Sequence, residues 1–466
     1  MRLSRLTVHL SVLASLACTG STSGPSAKTV APPAGPKHPA VLFQHRPASP
    51  EIDALAKLGI VSRTLDEGDD PSRGLDKLAA QPGVDTDRMA YVGDGHGAAV
   101  LSRIKAAVFI APQFGKGDER FLQESRVPVF EQFGVRDAAI PPNVADDTFD
   151  KTPAPKARCV YEALNDEAAL RDRREFLQLA FAPPELAKIP GFYMTRQPVA
   201  YPLPPPSSFQ RLPEQTYRTV AGHDFRLDVV RPAQSRADER PRPVVIFVHG
   251  QMHPALVREA KEWRSYREMA EILAAKGYVT VMPNLGASAT GFESNKLFGE
   301  VVPVADNLEA AVRYVHTNAA TLGVDPARIA LWVASAGGAY GLGSALGNLA
   351  SVTRAVVAYY PLVTESVLTG TQPPLAEAAI ERLSAIRQLR RRGAKSAPVL
   401  LVRAGYDWDV LNRGIDDFAT LAAESKAPVT VVRHDRAHHA FEVVDATEET
   451  RAVLERTFAF LDEHLR

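Results

Sequence analysis

Residues 328–338 read RIALWVASAGG and contain the clearest structural signal in the chain. The five residues after Arg328 form an apolar run, which is typical of a strand that is buried on both faces of a sheet. The small residues after it permit a tight turn into a helix, and such a turn exposes a serine as a nucleophile elbow. Ser335 is therefore a candidate nucleophile, although Val333 stands where the G-x-S-x-G pattern has its first glycine.

Strands and helices alternate on both sides of this stretch. The pattern predicts a hairpin over 216–230 and buried strands over 243–248, 278–282, 328–333, 355–359, 398–402 and 429–432. Helices are predicted over 258–276 and 306–320, and a last helix is predicted to have Asp445 as its cap, because Glu448 follows three residues later. This alternation over about 250 residues predicts an α/β fold with a doubly wound, mostly parallel sheet.

Two further polar residues follow strands of the predicted sheet. Asp407 comes after the strand that ends at residue 402, and His439 comes after the last strand. In the order serine, aspartate, histidine, the histidine can take the proton of the serine while the carboxylate orients the imidazole. Asp409 is an alternative acid, in which case Asp407 caps a helix, and His438 is an alternative base.

An oxyanion site is predicted beside the candidate nucleophile. The first core strand ends in residues 249–251, His-Gly-Gln, where a backbone N–H can bind an oxyanion together with the N–H of Ala336. His249 is expected to shape this loop without reacting. His434 is expected to lie at the surface or in a loop, and Cys159 to be a partly buried thiol that does not act as a nucleophile.

Residues 215–466 resemble the dienelactone hydrolase and esterase branch of the α/β-hydrolase superfamily. Four ordered segments carry the resemblance: His249-Gly250, Ser335-Ala336-Gly337-Gly338, Ala404-Gly405-Tyr406-Asp407 and His439-Ala440-Phe441. The resemblance implies that Ser335 is the nucleophile, His439 the base and Asp407 the orienting acid. It also implies that the amides of Gln251 and Ala336 bind the oxyanion and that the substrate is a small-molecule ester. Because dienelactone hydrolases use a cysteine nucleophile, the serine favours an esterase.

Residues 37–182 repeat the pattern of the C-terminal half without its reactive groups. The segment GVDTDRMA at 83–90 parallels GVDPARIA at 323–330, and this register places Gly95 at the position of the nucleophile. The region that corresponds to the histidine, residues 161–165, reads YEALN. We interpret this half as a degenerate, smaller α/β-hydrolase-like domain that contributes no turnover and serves in packing.

The remaining segments are predicted to be an export signal and connecting chain. Residues 1–18 have a basic start and an apolar stretch of signal-peptide length that ends in Cys18. They resemble a bacterial lipoprotein signal, although Ser15 departs from that motif and leaves ordinary secretory cleavage open. Residues 19–36 predict a flexible tether, and the proline-rich residues 183–214 predict a linker or strap. We therefore expect an exported protein, which is attached to the bacterial cell envelope if Cys18 carries a lipid and is otherwise periplasmic or secreted.

Composition excludes several classes of partner. The 466 residues include 54 Lys+Arg and 54 Asp+Glu, so the balanced charge gives no indication of a nucleic-acid partner. The two cysteines cannot build a disulfide framework, and no cysteine or histidine spacing indicates a metal site. No glycine-rich phosphate loop is present in the sequence, so no cofactor is expected.

Three functions fit these patterns. The first is a serine ester hydrolase that works through an acyl-enzyme intermediate. The second is a peptidase or aminoacyl hydrolase on the same fold, which needs an anchor for an amine. The third is a non-catalytic binding lipoprotein of the envelope, which Val333 and the degenerate half favour. Residues 364–397 are either a helical cap that shapes the substrate pocket or a peripheral packing segment.

Overall fold

The computed structural model describes residues 37–45, 47, 49–66, 68–112, 118–125, 127–135, 156–181, 196–233, 240–250, 260–286, 301–371 and 374–466. The predicted signal at 1–18 with Cys18, the tether at 19–36, residues 183–195 of the linker and Gln251 lie outside the described residues. Within the described part, no helix has both the length and the apolar character needed to span a membrane.

The described part of the N-terminal half alternates strands with helices. Its strands are β1 (His38–Phe43), β2 (Val61–Thr64), β3 (Val84–Gly93), β4 (Ala106–Ile110), β5 (Val129–Gly134) and β6 (Lys156–Tyr161). Its helices are α1 (Ser49–Lys57), α2 (Pro71–Ala79), α3 (Asp118–Glu124), α4 (Glu167–Ala180) and the 3-10 helix Gly95–Arg103. The six strands pair in parallel in the order β2-β1-β3-β4-β5-β6.

The C-terminal half forms a second, larger sheet. Its strands are β7 (Phe209–Arg211), β8 (Gln215–Val220), β9 (His223–Pro232), β10 (Arg242–Val248), β11 (Val279–Pro283), β12 (Val324–Ala334), β13 (Thr353–Tyr359), β14 (Val399–Ala404) and β15 (Val429–His434). Its described helices are α5 (Arg264–Ala275), α6 (Val301–Thr317), α7 (Ala319–Leu322), α8 (Gly343–Leu346), α9 (Ser366–Thr369), α10 (Glu377–Leu383), α11 (Ala385–Arg392), α12 (Asp409–Glu424), α13 (Phe441–Val444) and α14 (Glu448–Leu465).

The strand order of this second sheet identifies its fold. The order is β9-β11-β10-β12-β13-β14-β15, and both β7 and β8 pair with β9. Strand β9 is antiparallel to β11, whereas the six strands β10 to β15 run parallel to one another. The predicted mostly parallel α/β sheet is confirmed, and its topology is that of the α/β-hydrolase fold.

Helices cover both faces of the second sheet. Along β10, Val244, Ile246 and Val248 belong to one apolar cluster. The alternate residues Val245 and Phe247 belong to the cluster on the opposite face. Two-sided burial explains why this strand reads as a continuous apolar run in the sequence.

Two short strands cross the boundaries expected from the sequence. A two-residue strand, β16 (Asp445–Ala446), pairs in parallel with β6 and becomes the seventh strand of the N-terminal sheet. Conversely, β7 lies within the proline-rich segment 183–214, yet it pairs with β9 of the second sheet. The described end of that segment is therefore packed structure and not a free linker.

The last helix begins at a different cap from the predicted one. The side chain of Thr447, and not that of Asp445, caps α14 by accepting the backbone N–H of Thr450 at 3.2 Å. Asp445 lies two residues earlier, and its carboxylate accepts the backbone N–H of His438 instead. Threonine and aspartate both cap helices, so the sequence pattern did not separate these two positions.

The two sheets share a strand order. Strands β2-β1-β3-β4-β5-β6 follow the same order and the same parallel sense as β11-β10-β12-β13-β14-β15. In both sheets, the third strand of this series leads directly into a 3-10 helix.

Candidate active site

The candidate nucleophile Ser335 lies in a tight turn between a strand and a helix. Strand β12 ends at Ala334, and a 3-10 helix begins at Ser335. The φ angle of Ser335 is 54°, a left-handed conformation that is strained for a residue with a side chain. This is the geometry of a nucleophile elbow.

Close backbone packing requires the small residues that follow the serine. A Cβ atom at Gly337 would lie 2.8 Å from the carbonyl oxygen of Val248, and one at Gly338 would lie 2.8 Å from the backbone nitrogen of Leu362. Because these neighbours are backbone atoms, they cannot move aside as a flexible side chain can. Val333, in place of the usual first glycine, is fully buried in the sheet and is accommodated there.

His439 joins the hydroxyl of Ser335 to the carboxylate of Asp407. Its Nε2 atom lies 2.9 Å from Ser335 Oγ, and its Nδ1 atom lies 2.8 Å from Asp407 Oδ2. The Asp407 side chain is 0% exposed, and its other oxygen accepts the backbone N–H of Trp408 at 2.8 Å. Such a carboxylate favours the imidazole tautomer with its proton on Nδ1, which leaves Nε2 to accept the proton of the serine.

The two alternative residues lie away from the serine. Asp409 is the first residue of α12, and its side chain is 91% exposed and 3.7 Å from Arg413. His438 faces Asp445, with 2.9 Å between its Nδ1 atom and the carboxylate. The structure therefore brings together Ser335, Asp407 and His439, and it does not bring the alternatives to them.

His434 contradicts the expectation of a surface or loop residue. It is the last residue of β15 and is buried, with its Nε2 atom 3.0 Å from the hydroxyl of Thr450 on α14. Burial lowers the pKa of this imidazole. The prediction was wrong because α14 packs across the end of the strand, a tertiary contact that leaves no local pattern.

Of the two predicted oxyanion donors, one lies in the described part of the chain. Ala336 directly follows the serine in the turn and is buried. Gln251 lies outside the described residues. Its neighbour Gly250 packs against the nucleophile, because a Cβ atom there would lie 3.0 Å from Ser335 Cβ. The loop that precedes Gln251 is thus adjacent to the serine, as an oxyanion site requires.

His249 stabilises this loop. Its Nδ1 atom lies 2.7 Å from the carbonyl oxygen of Gly250, and its Nε2 atom lies 3.4 Å from the backbone nitrogen of Leu285. The hydroxyl of Tyr340 donates to the carbonyl oxygen of His249. Burial lowers the pKa of His249 to about 4, so the ring is neutral at pH 7 and can accept one of these bonds while it donates the other.

An apolar cavity opens beside the catalytic candidates. Its volume is about 1560 Å³ including the open mouth, and Ser335 and His439 line it. Six aromatic side chains also line it: Phe247, Trp263, Tyr266, Trp332, Tyr360 and Trp408. They include all three tryptophans of the sequence. Sequence reasoning missed these residues because no spacing relates them.

The segment 364–397 serves mainly in packing. Val367 lines the cavity. In contrast, Ile380 and Leu383 of α10 and Leu389 of α11 are buried in the main core. In the described part of this segment, more side chains therefore pack in the core than line the cavity.

Glu442 places a carboxyl group in the wall of this apolar cavity. Its Oε1 atom accepts the hydroxyl of Tyr360, and its Oε2 atom is buried without a hydrogen-bond partner among the described residues. Burial raises the pKa of Glu442 to about 7. No sequence pattern indicates this group, because a glutamate three residues after His439 also fits an exposed helix start.

The described residues contain no cluster of histidine, cysteine and acidic side chains that could hold a metal ion. Cys159 is fully buried in β6, and not partly buried as expected. Burial raises the pKa of its thiol well above the usual range, which makes it a poor nucleophile.

The corresponding turn of the N-terminal half holds no hydroxyl. Gly95 begins the 3-10 helix after β3, where the second sheet has its serine. The ring of Tyr91 fills the space beside Gly97, where a Cβ atom would lie 2.0 Å from a ring carbon. Asp94 accepts the backbone N–H of His96 at 3.0 Å and lies 2.9 Å from its Nδ1 atom, so these two groups stabilise the turn itself.

Part of the chain is similar to known proteins. Residues 227–362 match the sequence model of the BD-FAE family. Similar solved structures include a thermophilic esterase from Thermogutta terrifontis, with 20% identity over 55% of this chain and 92% of that chain and a TM-score of 0.42. A fungal esterase from Rhizomucor miehei shows 18% identity over 58% of this chain and 87% of that chain, with a TM-score of 0.43. No curated protein matches the sequence.

Proposed function

We propose that the protein is a serine ester hydrolase of the carboxylesterase type. One observation carries the proposal: His439 lies 2.9 Å from the Ser335 hydroxyl and 2.8 Å from the buried Asp407 carboxylate. A serine in an elbow, an imidazole in contact with it and a buried carboxylate behind the imidazole are the groups that acyl transfer needs.

In the proposed reaction, Ser335 Oγ attacks the carbonyl carbon of the ester while His439 Nε2 takes the hydroxyl proton. The backbone N–H groups of Ala336 and Gln251 stabilise the oxyanion of the tetrahedral intermediate. The intermediate collapses as His439 returns the proton to the leaving alcohol, which gives an acyl-enzyme. Water then attacks with the same base, and the acid is released with Ser335 restored. Asp407 holds the ring of His439 in place and stabilises the imidazolium.

The cavity suggests what kind of ester fits. Its aromatic and aliphatic lining favours an apolar acyl or alcohol group, and large aromatic surfaces contribute most to such binding. We therefore propose small-molecule esters with a bulky apolar group as substrates.

A peptidase or aminoacyl hydrolase is the second candidate, and Glu442 favours it. This residue is the only carboxyl group among the described residues that line the cavity, and a carboxylate can bind a substrate ammonium. Turnover of aminoacyl p-nitroanilides in preference to esters would establish this second function.

The proposed function is tested with a fluorophosphonate probe and p-nitrophenyl esters. The probe should label Ser335 in the wild type, and Ser335→Ala should stay folded but lose several orders of magnitude in kcat. Oxyanion stabilisation and binding alone leave about 10³–10⁴-fold over water in such variants. His439→Ala should add little to Ser335→Ala, because the residues act as one unit. Labelling at another residue, or undiminished turnover by Ser335→Ala, would show that the site is wrong.

We also propose that the N-terminal half is a degenerate copy of the hydrolase fold. The shared strand order and Gly95 at the nucleophile position support this origin. Export through residues 1–18 and lipidation of Cys18 remain proposals from the sequence. Fractionation tests them: Cys18→Ala should move the protein from the membrane to the soluble fraction if the cysteine is lipidated.

A further inference from the structure

The segment that follows His439 belongs structurally to the other half of the molecule. Residues 441–444 form the short helix α13, and residues 445–446 form β16 at the edge of the N-terminal sheet. Asp445 pairs with Val160 and Ala446 pairs with Tyr161. The candidate base is thus only a few residues from a strand that the N-terminal half holds.

Side chains and backbone atoms add to this attachment. Cys159 of β6 donates from its thiol to the carbonyl oxygen of Val443 at 3.7 Å. The side chain of Gln197, in the segment between the halves, donates to the same sulfur at 3.1 Å. Three residues later, the backbone N–H of Ala200 donates to the carbonyl oxygen of Glu442 at 2.7 Å. Two of these bonds end on the segment itself, at Glu442 and Val443, and the third holds the sulfur of Cys159 in place.

Asp445 connects this restraint to the base itself. Its backbone pairs with β6, and its side chain is buried, with 1% of the residue exposed. One carboxylate oxygen accepts the backbone N–H of His438 at 2.7 Å, and the other lies 2.9 Å from Nδ1 of the same residue. Because His438 directly precedes His439, a restraint on the backbone of His438 also restrains the position of the His439 side chain.

We propose that the N-terminal half positions His439 by holding residues 441–446 at the edge of its own sheet, with Asp445 as the positioning residue. The half without a nucleophile thus contributes to catalysis through geometry, beyond the packing role expected from the sequence. The proposal rests on the proposed role of His439 as the base. Misplacing a catalytic group by about 1 Å can lower a rate by about 10²-fold, so a loosened segment should act on kcat.

The test uses the full chain and compares Asp445→Ala, Asp445→Asn and Cys159→Ala with the control Val108→Ala. Val108 is a buried residue of β4 in the same apolar cluster as Cys159, and it makes no contact with residues 441–446 among those described above. The control therefore removes a similar or larger core volume without touching the proposed attachment. Melting temperature, kcat, KM and the rate of fluorophosphonate labelling are measured for each variant.

Asp445→Ala should lower kcat and the labelling rate by about 10- to 100-fold and leave KM within about twofold. Asp445→Asn keeps one acceptor oxygen for the His438 N–H and should recover most of the loss. Cys159→Ala should lower kcat by a smaller factor, whereas Val108→Ala should lower the melting temperature alone. An equal fall in kcat for Val108→Ala, or unchanged kcat in all three attachment variants, overturns the proposal. If Asp445→Ala fails to fold, the comparison of Cys159→Ala with Val108→Ala still decides, because Cys159 contacts the segment directly and Val108 does not.

A measurement that does not depend on turnover can test this positioning role even if the proposed ester hydrolysis is wrong. The proton between His439 Nδ1 and Asp407 should give a downfield NMR resonance, which His439→Gln identifies by its loss. Asp445→Ala and Cys159→Ala should broaden or shift this resonance, and Val108→Ala should not. An unchanged resonance in the attachment variants contradicts the positioning role even in a chain that hydrolyses no ester.

Discussion

The hydroxyl of Tyr360 donates a hydrogen bond to Oε1 of Glu442, and no group pairs with Oε2 of that carboxyl among the described residues. Its burial in the cavity wall raises the pKa of Glu442 from 4.5 to about 7. The folded protein therefore keeps this proton up to about pH 7, whereas the unfolded chain releases it near pH 4.5. The stability that the protonated group contributes is complete below pH 4.5 and is lost as the pH rises to about 7.

Replacing this carboxyl should stabilise the protein at high pH and not at low pH. Glu442→Gln removes the charge that is buried above pH 7, so its free energy of unfolding should exceed that of the wild type by about 3 kcal/mol at pH 8. At pH 4 the difference should be close to zero. Urea unfolding at both pH values measures this. The exposed Glu463→Gln should show no such pH dependence, and a gain of equal size at both pH values would contradict the assignment.

Asp407 and Asp409 are the two acidic residues that the sequence left as alternatives. Their substitutions should differ by orders of magnitude in their effect on kcat. Asp407→Asn should lower kcat by about 10⁴-fold, because an amide no longer selects the reactive tautomer of His439. Asp409→Asn is the matched control, since it removes the charge of an exposed residue two positions away. Its kcat should stay within about twofold of the wild type. A larger loss of kcat for Asp409→Asn than for Asp407→Asn would show that Asp409 is the acid.

Trp408 should select for bulky substrates. Its ring lies 4.8 Å from that of His439 between centroids, and it is 56% exposed at the cavity. Removing an aromatic contact of this kind weakens binding by about 1 kcal/mol, or about fivefold. Trp408→Ala should therefore raise KM for methyl 3-phenylpropionate about fivefold and leave KM for methyl acetate nearly unchanged, as measured by pH-stat. Leu58→Ala, an exposed apolar residue of the N-terminal half, is the control. Equal changes in KM for both esters would show that Trp408 does not contact the bulky group of the substrate.

The sequence predicted the sheet and the three triad candidates because their signals are local. Ser335, Asp407 and His439 each follow an apolar run, and parallel strands bring their carboxyl ends to one edge of the sheet. The same reasoning recovered the glycines beside the serine, since a tight turn tolerates few side chains there.

Tertiary contacts account for what the sequence did not predict. Strand β16 has two residues, which is too short for any alternation to mark it, and its partner β6 lies far earlier in the chain. Asp445 consequently looked like a helix cap, although its carboxylate binds His438. Trp263 and Trp332 line the cavity from different elements, and only the folded chain brings them to the same wall.

The turn at Gly95 in the N-terminal half should remain inactive when a hydroxyl is supplied there. Gly95→Ser places a hydroxyl where the second half has its nucleophile, but a serine is reactive only with a base in contact. The nearest imidazole, His96, is held by Asp94, and its side chain is 75% exposed. At the end of β6, where the second half continues towards its histidine, Tyr161 donates to Asp172 at 3.0 Å instead.

We therefore expect the double variant Gly95→Ser/Ser335→Ala to be as inactive as Ser335→Ala alone. The fluorophosphonate probe should leave it unlabelled, while Gly95→Ser in the wild-type background should take up one equivalent at Ser335. Peptide mapping by mass spectrometry distinguishes the two positions. The melting temperature of Gly95→Ser shows whether the turn tolerates a side chain, so that a misfolded variant is not mistaken for an inactive one. Labelling at position 95 would mean that a base reaches this turn, and the N-terminal half would then have to be regarded as a dormant catalytic domain.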